Sequence, residues 1–367
     1  MKLALTALLA SFSVVYADPY TCQDAEWECR YPSAYSLNCF SGCCEDFRLS
    51  AAFLYWNISD EPFEFLIEKK AIRNTETEIS DQLLSFKENC RGVDFGYDPG
   101  FRIGLGTTLP CCCCLDLDFY WTHYYVHGKK NVLIQGASDP VYRSFCLLQV
   151  PEIGCALESN QTAHFCGTAK FRYDVLDLEV GKWCCLCDCI SFRPFFGLRY
   201  VDIEDKSRVE FDFNDSLTSF HVSNGNAKSS DAFRGLGIRG GFGVEYDCCY
   251  CLKAYGNIAG SFAWGKTHSS FSFEALDDEW NPCARTACRR NAGRAFLDGA
   301  IGIEYSTCIC GCYPLTIDVA WEQNYLFDIK RCHSEKDIFS LSEASEHSCG
   351  SEDLVLSGLT LTVQLDF

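Results

Sequence analysis

After its first 17 positions, the sequence has no run of about 18 consecutive apolar residues, the length that a helix needs to cross a bilayer. Basic residues are also scarce, because 31 lysines and arginines face 50 aspartates and glutamates, a formal net charge of -19. The first shortage excludes an ordinary helical membrane protein. The second argues against nucleic acid as a partner, since nucleic acid requires a basic patch. Aromatic residues are abundant, at 14% of the 367 positions, which excludes an acidic disordered chain.

The N-terminus has the features of a secretory signal peptide. Lys2 supplies the positive n-region, residues 3–15 form the apolar h-region, and Val15-Tyr16-Ala17 is a small-residue cleavage site. An uncleaved anchor is the alternative, but the apolar run is too short to cross a bilayer. The sequence therefore predicts export, with cleavage near Ala17.

Period-two alternation of apolar and polar residues, the pattern of a half-buried β-strand, recurs in ten segments. They lie near 47–57, 95–107, 114–126, 169–181, 190–203, 234–247, 250–265, 293–306, 314–328 and 354–367. Each is about ten residues or longer, enough for a tilted strand to cross a membrane. In the fourth segment Val175 and Leu176 interrupt the alternation, which indicates a bulge or a register slip.

The connections between these segments are alternately short and long. Cysteine clusters occupy the short ones, namely Cys111, Cys112, Cys113 and Cys114; Cys184, Cys185, Cys187 and Cys189; Cys248, Cys249 and Cys251; and Cys308, Cys310 and Cys312. The long ones are mostly polar and cover roughly 58–93, 127–168, 204–233, 266–292 and 329–353. In outer-membrane barrels short turns face the periplasm and long loops face outside.

These features predict an all-β fold, a transmembrane antiparallel up-and-down β-barrel of about ten strands, within a range of roughly eight to fourteen. We expect long extracellular loops and short cysteine-rich periplasmic turns. The domain organisation is then a signal peptide at 1–17, a cysteine-rich periplasmic segment at 18–46 and the barrel at 47–367.

A secreted β-sandwich or a lipocalin-like barrel would show the same alternation, with its apolar parity facing inward. Three features favour the membrane barrel. Charged residues recur among the polar positions of the alternating segments, aromatic residues lie near the segment ends, and Phe367 is the last residue. The tryptophans expected in its aromatic girdles are Trp56, Trp121, Trp264 and Trp321.

Three of the long connections carry further predictions. Alternating pieces at Val209–Phe213, Ser219–Val222 and Ser269–Phe273 indicate strands that continue beyond the bilayer as hairpins. The 58–93 stretch is not strand-like, and a short helix is expected there.

The 27 cysteines indicate disulfide bonds in an oxidising compartment. Because the number is odd, at least one thiol is free or pairs with another chain. The spacing of Cys111/Cys114, Cys184/Cys187 and Cys248/Cys251 also suits zinc or thiol exchange. Interleaved cysteines in strand turns, without a βαβ context, favour disulfides, whose connectivity the sequence does not give.

Charged residues of both signs recur on the parity that a membrane barrel turns inward. They are Arg102, Asp116, Asp118, Arg193, Arg199, Arg239, Glu245, Lys253, Arg294, Asp298, Glu304, Asp318 and Glu322. One interpretation is a polar lumen whose charge rings tune ion selectivity. The other is a salt-bridge network that fills a narrow barrel.

The sequence contains no recognisable catalytic or metal-binding motif. His123 and His127 are the nearest histidine pair, and no third ligand accompanies them. No serine or cysteine nucleophile has a recognisable partner motif. We therefore expect no metal, no cofactor and no enzymatic activity.

The segment from Tyr97 to Gly106, YDPGFRIGLG, resembles a motif of the pore-forming major outer membrane proteins of the Legionella type. Relatives of that family occur in chlamydia-like bacteria as MOMP-like porins. The resemblance continues through Asp116–His123, Arg193–Arg199, Gly235–Gly241 and Tyr255–Gly260, over most of the mature chain.

The resemblance implies a porin of a bacterial outer membrane, through which small hydrophilic solutes and ions diffuse passively. The cysteine clusters depart from the Legionella pattern and are similar to the chlamydia-like branch. There, disulfides to other cysteine-rich envelope proteins, or between copies, are thought to stiffen the envelope. Phe367 resembles the signal that barrels present to the outer-membrane assembly machinery. The alternative function is a non-conducting surface adhesin or structural barrel.

Overall fold

The structure, a computed structural model, describes residues 47–58, 63–73, 83–109, 115–135, 142–149, 152–157, 162–187, 189–213, 224–248, 251–276, 283–309, 313–329 and 353–367. These form fifteen strands: β1 Phe47–Ile58, β2 Phe63–Arg73, β3 Leu83–Val93, β4 Asp98–Leu109, β5 Leu115–Gln135, β6 Tyr142–Gln149, β7 Glu152–Leu157, β8 Thr162–Gly181, β9 Cys184–Cys187, β10 Ile190–Phe213, β11 Asn224–Cys248, β12 Leu252–Leu276, β13 Cys283–Ile309, β14 Tyr313–Leu326 and β15 Leu354–Asp366. The segments expected at 1–17 and 18–46 lie outside the described residues. No helix in the described part of the chain has the length and apolar character to cross a membrane.

Ten of these strands close into an antiparallel barrel in the order β1-β4-β5-β8-β10-β11-β12-β13-β14-β15. The seam joins β15 to β1, and there the Phe367 N–H donates to the Phe47 carbonyl over 2.9 Å. Closure pairs every barrel strand on both sides and leaves no edge. The predicted fold class and the ten predicted strands are confirmed.

The apolar parity of the barrel strands faces outward. Its side chains form a belt around the wall, each more than a third exposed, which includes Phe53, Phe101, Ile103, Trp121, Leu178, Leu198, Ile238, Phe262, Trp264, Ile303, Val319, Trp321 and Leu361. A soluble barrel would bury this parity. The prediction for Trp56 is wrong, because it belongs to the opposite parity and is fully buried inside the barrel.

The expected irregularity in β8 is also wrong. The strand pairs in unbroken register with β5 and with β10 up to Gly181. Val175 faces the interior and Leu176 faces outward. Both are apolar because the interior is itself apolar at this height, so the alternation of polarity fades although the strand remains regular.

Beyond the belt, several strands continue as tall hairpins. β10 to β13 have 24 to 27 residues each, well over the ~10 that cross a bilayer. The predicted strand pieces Val209–Phe213 and Ser269–Phe273 belong to β10 and β12, whereas Ser219–Val222 lies outside the described residues. On one hairpin Arg285 donates to Glu274 over 3.0 Å, and this hydrogen bond lowers the pKa of the Glu274 carboxyl.

A second sheet, in the order β3-β2-β6-β7, is built from the two longest connections. The expectation that 58–93 is not strand-like is wrong, since 63–73 and 83–93 are strands, and the described residues of this stretch contain no helix. β2 pairs with β6, about 75 positions away by the register Lys70↔Ser144. A local sequence pattern carries no information about such a distant partner.

Candidate functional site: the charged interior of the barrel

The lumen contains a cavity of about 800 Å³, here called the chamber. It lies behind the belt, because the inward parity of the same strand segments supplies its walls. Six cationic side chains line it, Arg48, Arg102, Arg193, Arg199, Arg239 and Lys253. Ten carboxylates line it as well, Asp118, Asp177, Glu179, Glu245, Asp247, Asp298, Glu304, Asp318, Glu322 and Asp366.

A network of ion pairs begins on the β1 and β5 side of the chamber. Arg48 Nη2 lies 2.8 Å from Asp118 Oδ1 and 3.4 Å from Asp116 Oδ1. Arg193 binds the other oxygen of Asp118 and approaches Glu179 to 3.8 Å. Asp118 is thus held between two guanidinium groups from strands that do not neighbour its own.

The network continues across the lumen towards β13. Arg239 reaches Glu179 at 2.7 Å and also binds Asp298. Arg199 binds both oxygens of Asp177 at 2.7 Å and Asp298 at 2.7 Å. These four arginines and five carboxylates form a continuous chain, here called the arginine network. It crosses the lumen beside the chamber, an arrangement of the kind that the salt-bridge interpretation describes.

Two smaller groups lie apart from this network. Arg102 makes a bidentate pair with Glu322, with both contacts at 2.9 Å, across the two intervening strands β1 and β15. Nearer the short-turn end, Lys253 Nζ lies 3.1 Å from Glu245 and 3.8 Å from Glu304. Carboxylates outnumber cations there, so this mouth of the chamber is acidic.

The structure places all the predicted lining residues on the inner face of the barrel. Most of them line the chamber, and Asp116 joins the arginine network beside Asp118. Arg294 differs, because it lies farther towards the long loops, 4.9 Å above the ring of Phe233, and donates to the Asp328 carbonyl. The role of any of these residues in conduction stays a prediction.

Sequence reasoning missed several polar residues of the chamber, among them Asp177, Glu179, Arg48 and Tyr255. Asp177 and Glu179 follow the interrupted alternation of β8, so their parity was not assigned. Arg48 alternates with Phe47 and Leu49, a signal that was sufficient to find it. Tyr255, whose hydroxyl donates to Asp318 over 2.7 Å, belongs to the inward parity of β12.

An apolar layer closes the long-loop end of the chamber. Its inward side chains are at most 2% exposed, and nine of the ten barrel strands contribute: Leu54, Trp56, Tyr124, Phe171, Val201, Phe233, Ala263, Phe296, Leu326 and Leu356. We call this layer the collar. Because water hardly reaches these side chains, the collar separates the chamber from the long-loop end.

The strand without a collar side chain, β4, has Gly100 at this level. A Cβ atom at Gly100 would lie 3.1 Å from the Tyr124 ring and 2.7 Å from the His123 carbonyl oxygen. The glycine therefore gives the Tyr124 ring its space. The Tyr124 hydroxyl donates to the Trp56 carbonyl over 2.8 Å, and the Trp56 Nε1–H donates to Thr360 over 3.1 Å, so the polar atoms of both rings are satisfied.

The cysteine clusters lie at the opposite, short-turn end. Cys184, Cys185 and Cys187 are in β9, which pairs with the start of β10, and Cys248 ends β11. Cys185 is disulfide-bonded, while Cys187 and Cys248 are exposed with free thiols. Cys189 and Cys251 directly precede β10 and β12, and the backbone of Cys308 lies in β13. Outside the described residues are Cys111, Cys112, Cys113, Cys114, Cys249, Cys310 and Cys312.

A closed barrel with an apolar outer belt, a charged interior and short turns at one end is the architecture of outer-membrane β-barrel proteins. A family model described as Legionella pneumophila major outer membrane protein precursor matches residues 42–367. The chain belongs to this family, and its location is the bacterial outer membrane.

Solved structures of other outer-membrane proteins are similar over most of the chain. Outer membrane protease OmpT from Escherichia coli is 11% identical, with coverage of 88% of this chain and 96% of that one and a TM-score of 0.35. A major outer membrane protein from Thermus thermophilus is 9% identical, with coverage of 89% and 100% and a TM-score of 0.31. No curated protein matches the sequence significantly.

Proposed function

We propose that this protein is a porin that lets small hydrophilic solutes and ions diffuse across the outer membrane. The chamber carries the proposal, because a cavity of about 800 Å³ lined by charges of both signs lies behind the lipid-facing belt. Its lining extends to Cys248 and Cys251 at the short-turn rim, which gives solutes an entrance from the periplasm. The proposal assigns no catalytic activity to the chain.

Conduction through the whole barrel requires movement of the collar. The charged chamber provides sites for hydrated ions, whereas the buried apolar side chains of the collar provide none. We therefore expect a porin that is closed for much of the time and opens in small steps. The collar also favours a second candidate, a structural or adhesive barrel without conductance.

Recording from the purified protein in planar bilayers tests the proposal. We expect discrete current steps and, in a KCl gradient, a reversal potential that shows preference for K⁺, because ten carboxylates face six cations in the chamber. The variant Asp318→Asn should reduce that preference. Asp202→Asn is the matched control, because Asp202 lies on the outer wall, and it should leave the preference for K⁺ unchanged. A wild-type protein that gives no steps under any applied voltage would overturn the porin proposal.

The cysteine-rich rim supports a structural role beside diffusion. We propose that its thiols form disulfides with other cysteine-rich envelope proteins or with a second copy, since Cys187 and Cys248 are exposed there. Phe367, exposed beside the barrel seam, is proposed as the signal that the assembly machinery reads.

Replacing Cys187 and Cys248 by serine should reduce the amount of detergent-resistant, high-mass complex on gels run without reductant. Cys166→Ser is the matched control, because that thiol is buried towards the long-loop end. Complexes that persist unchanged in the double variant, yet disappear with reductant, would show that other cysteines make the cross-links.

A further inference from the structure

Two cross-strand pairs of basic residues lie on the outer wall of β11, β12 and β13. Arg234 is in register with Lys266, and one step towards the long loops His268 is in register with Arg289. Directly opposed side chains on one face have Cβ atoms about 4.5–5.5 Å apart, and like charges in such positions destabilise a sheet. We call these four residues the basic wall patch.

The protein neutralises little of this charge. Arg234 pairs with Asp202 at 3.0 Å, but Arg172 also approaches Asp202 at 3.6 Å. Arg289 donates to His268 Nδ1 over 3.3 Å, a contact that involves no carboxylate. Lys266 has no ion pair with any residue that the structure describes.

The patch begins where the apolar belt ends. One step towards the short turns, Leu236 and Trp264 form the adjacent register pair, 59% and 61% exposed. Tryptophans at the margin of a barrel's apolar band mark the membrane–water interface. The basic wall patch therefore lies at the headgroup level of the leaflet on the long-loop side, where basic side chains attract anionic lipids.

The basic wall patch lies well below the tips of the hairpins. β12 continues eight residues beyond His268, to Leu276, a rise of about 26 Å.

We propose that the basic wall patch binds the phosphate of an anionic lipid headgroup in the outer leaflet. The phosphate would lie between the side chains of Arg234 and Lys266 and remove their mutual repulsion, while the acyl chains lie along the belt beside Trp264. The partner is thus a phosphorylated membrane lipid, held on one side of the barrel.

The test titrates the purified full-length protein in neutral detergent with diphosphoryl lipid A, with phosphatidylcholine and with inorganic phosphate, and counts bound molecules by native mass spectrometry. We expect lipid A to bind and the other two to bind weakly or not at all. Each cation removed should weaken lipid A binding about fivefold, so Lys266→Gln shows a fivefold loss and the triple variant with Arg234→Gln and Arg289→Gln about a hundredfold loss.

Two further variants test whether binding depends on this patch or on overall charge. Arg234→Lys with Arg289→Lys preserves the charge and should retain most of the affinity. Lys129→Gln with Lys206→Gln and Arg208→Gln removes the same charge from exposed positions on β5 and β10, and should leave binding unchanged. Lys266→Gln breaks no ion pair within the described residues, so it reports on binding even if the triple variant does not fold.

The proposal fails if Lys266→Gln and the triple variant bind lipid A as tightly as the wild type. It also fails if the Lys129, Lys206 and Arg208 control loses as much affinity, because bulk charge is then sufficient. Inorganic phosphate that binds equally well and competes with lipid A would show a site for a free anion rather than for a lipid.

Discussion

Replacing Arg199 with methionine should lower the free energy of unfolding by about 3–5 kcal/mol, since removal of one partner leaves buried charges uncompensated. The Arg199 side chain is only 4% exposed and binds Asp177 and Asp298 at 2.7 Å each. Without it, these two carboxylates share the single guanidinium of Arg239. Urea unfolding of the barrel in lipid vesicles, followed by tryptophan fluorescence, measures the change.

Arg234→Met provides the matched control for this prediction. The Arg234 side chain is 64% exposed and pairs with Asp202 at 3.0 Å on the outer wall, where an ion pair contributes about 0–1 kcal/mol. If Arg199→Met shifted the unfolding midpoint no more than Arg234→Met, the arginine network would behave like a surface pair. Water in the chamber would then screen its charges.

The barrel was predictable from sequence because, within the membrane, lipid and water select opposite side chains on alternate residues. Phe101, Ile103 and Leu105 face lipid, while Arg102 faces the chamber. The same alternation of polarity along each strand predicted that the charged lining residues face inward. Strand number followed from counting such segments, since each must be long enough to cross the bilayer.

The collar was not predictable by the same rule, because the two parities exchange polarity at the edge of the membrane. On β10, Tyr200 ends the outward apolar series and is followed by Asp202 and Glu204, whereas Val201 and Ile203 turn inward and are buried. An assignment that keeps one parity polar throughout misses this exchange. The exchange is visible in the sequence once the membrane boundary is known, but the boundary is a property of the folded barrel.

Replacing Trp56 with alanine should increase the current through the barrel several-fold. Trp56 belongs to the collar and also lines the chamber, so its removal extends the chamber into the apolar layer. Open probability and step size in planar bilayers measure the effect. A loss of stability of about 3–5 kcal/mol should accompany it, because a fully buried aromatic side chain is replaced by a cavity.

Trp264→Ala is the control, since it removes the same side chain from the outer belt, where Trp264 is 61% exposed, and should leave the current unchanged. If Trp56→Ala conducts no better than the wild type, ions do not pass the collar at Trp56. If the wild type is silent and Trp56→Ala conducts, the collar is a permanent plug. The native protein is then the structural barrel, because conduction would require the loss of a side chain that the native chain retains.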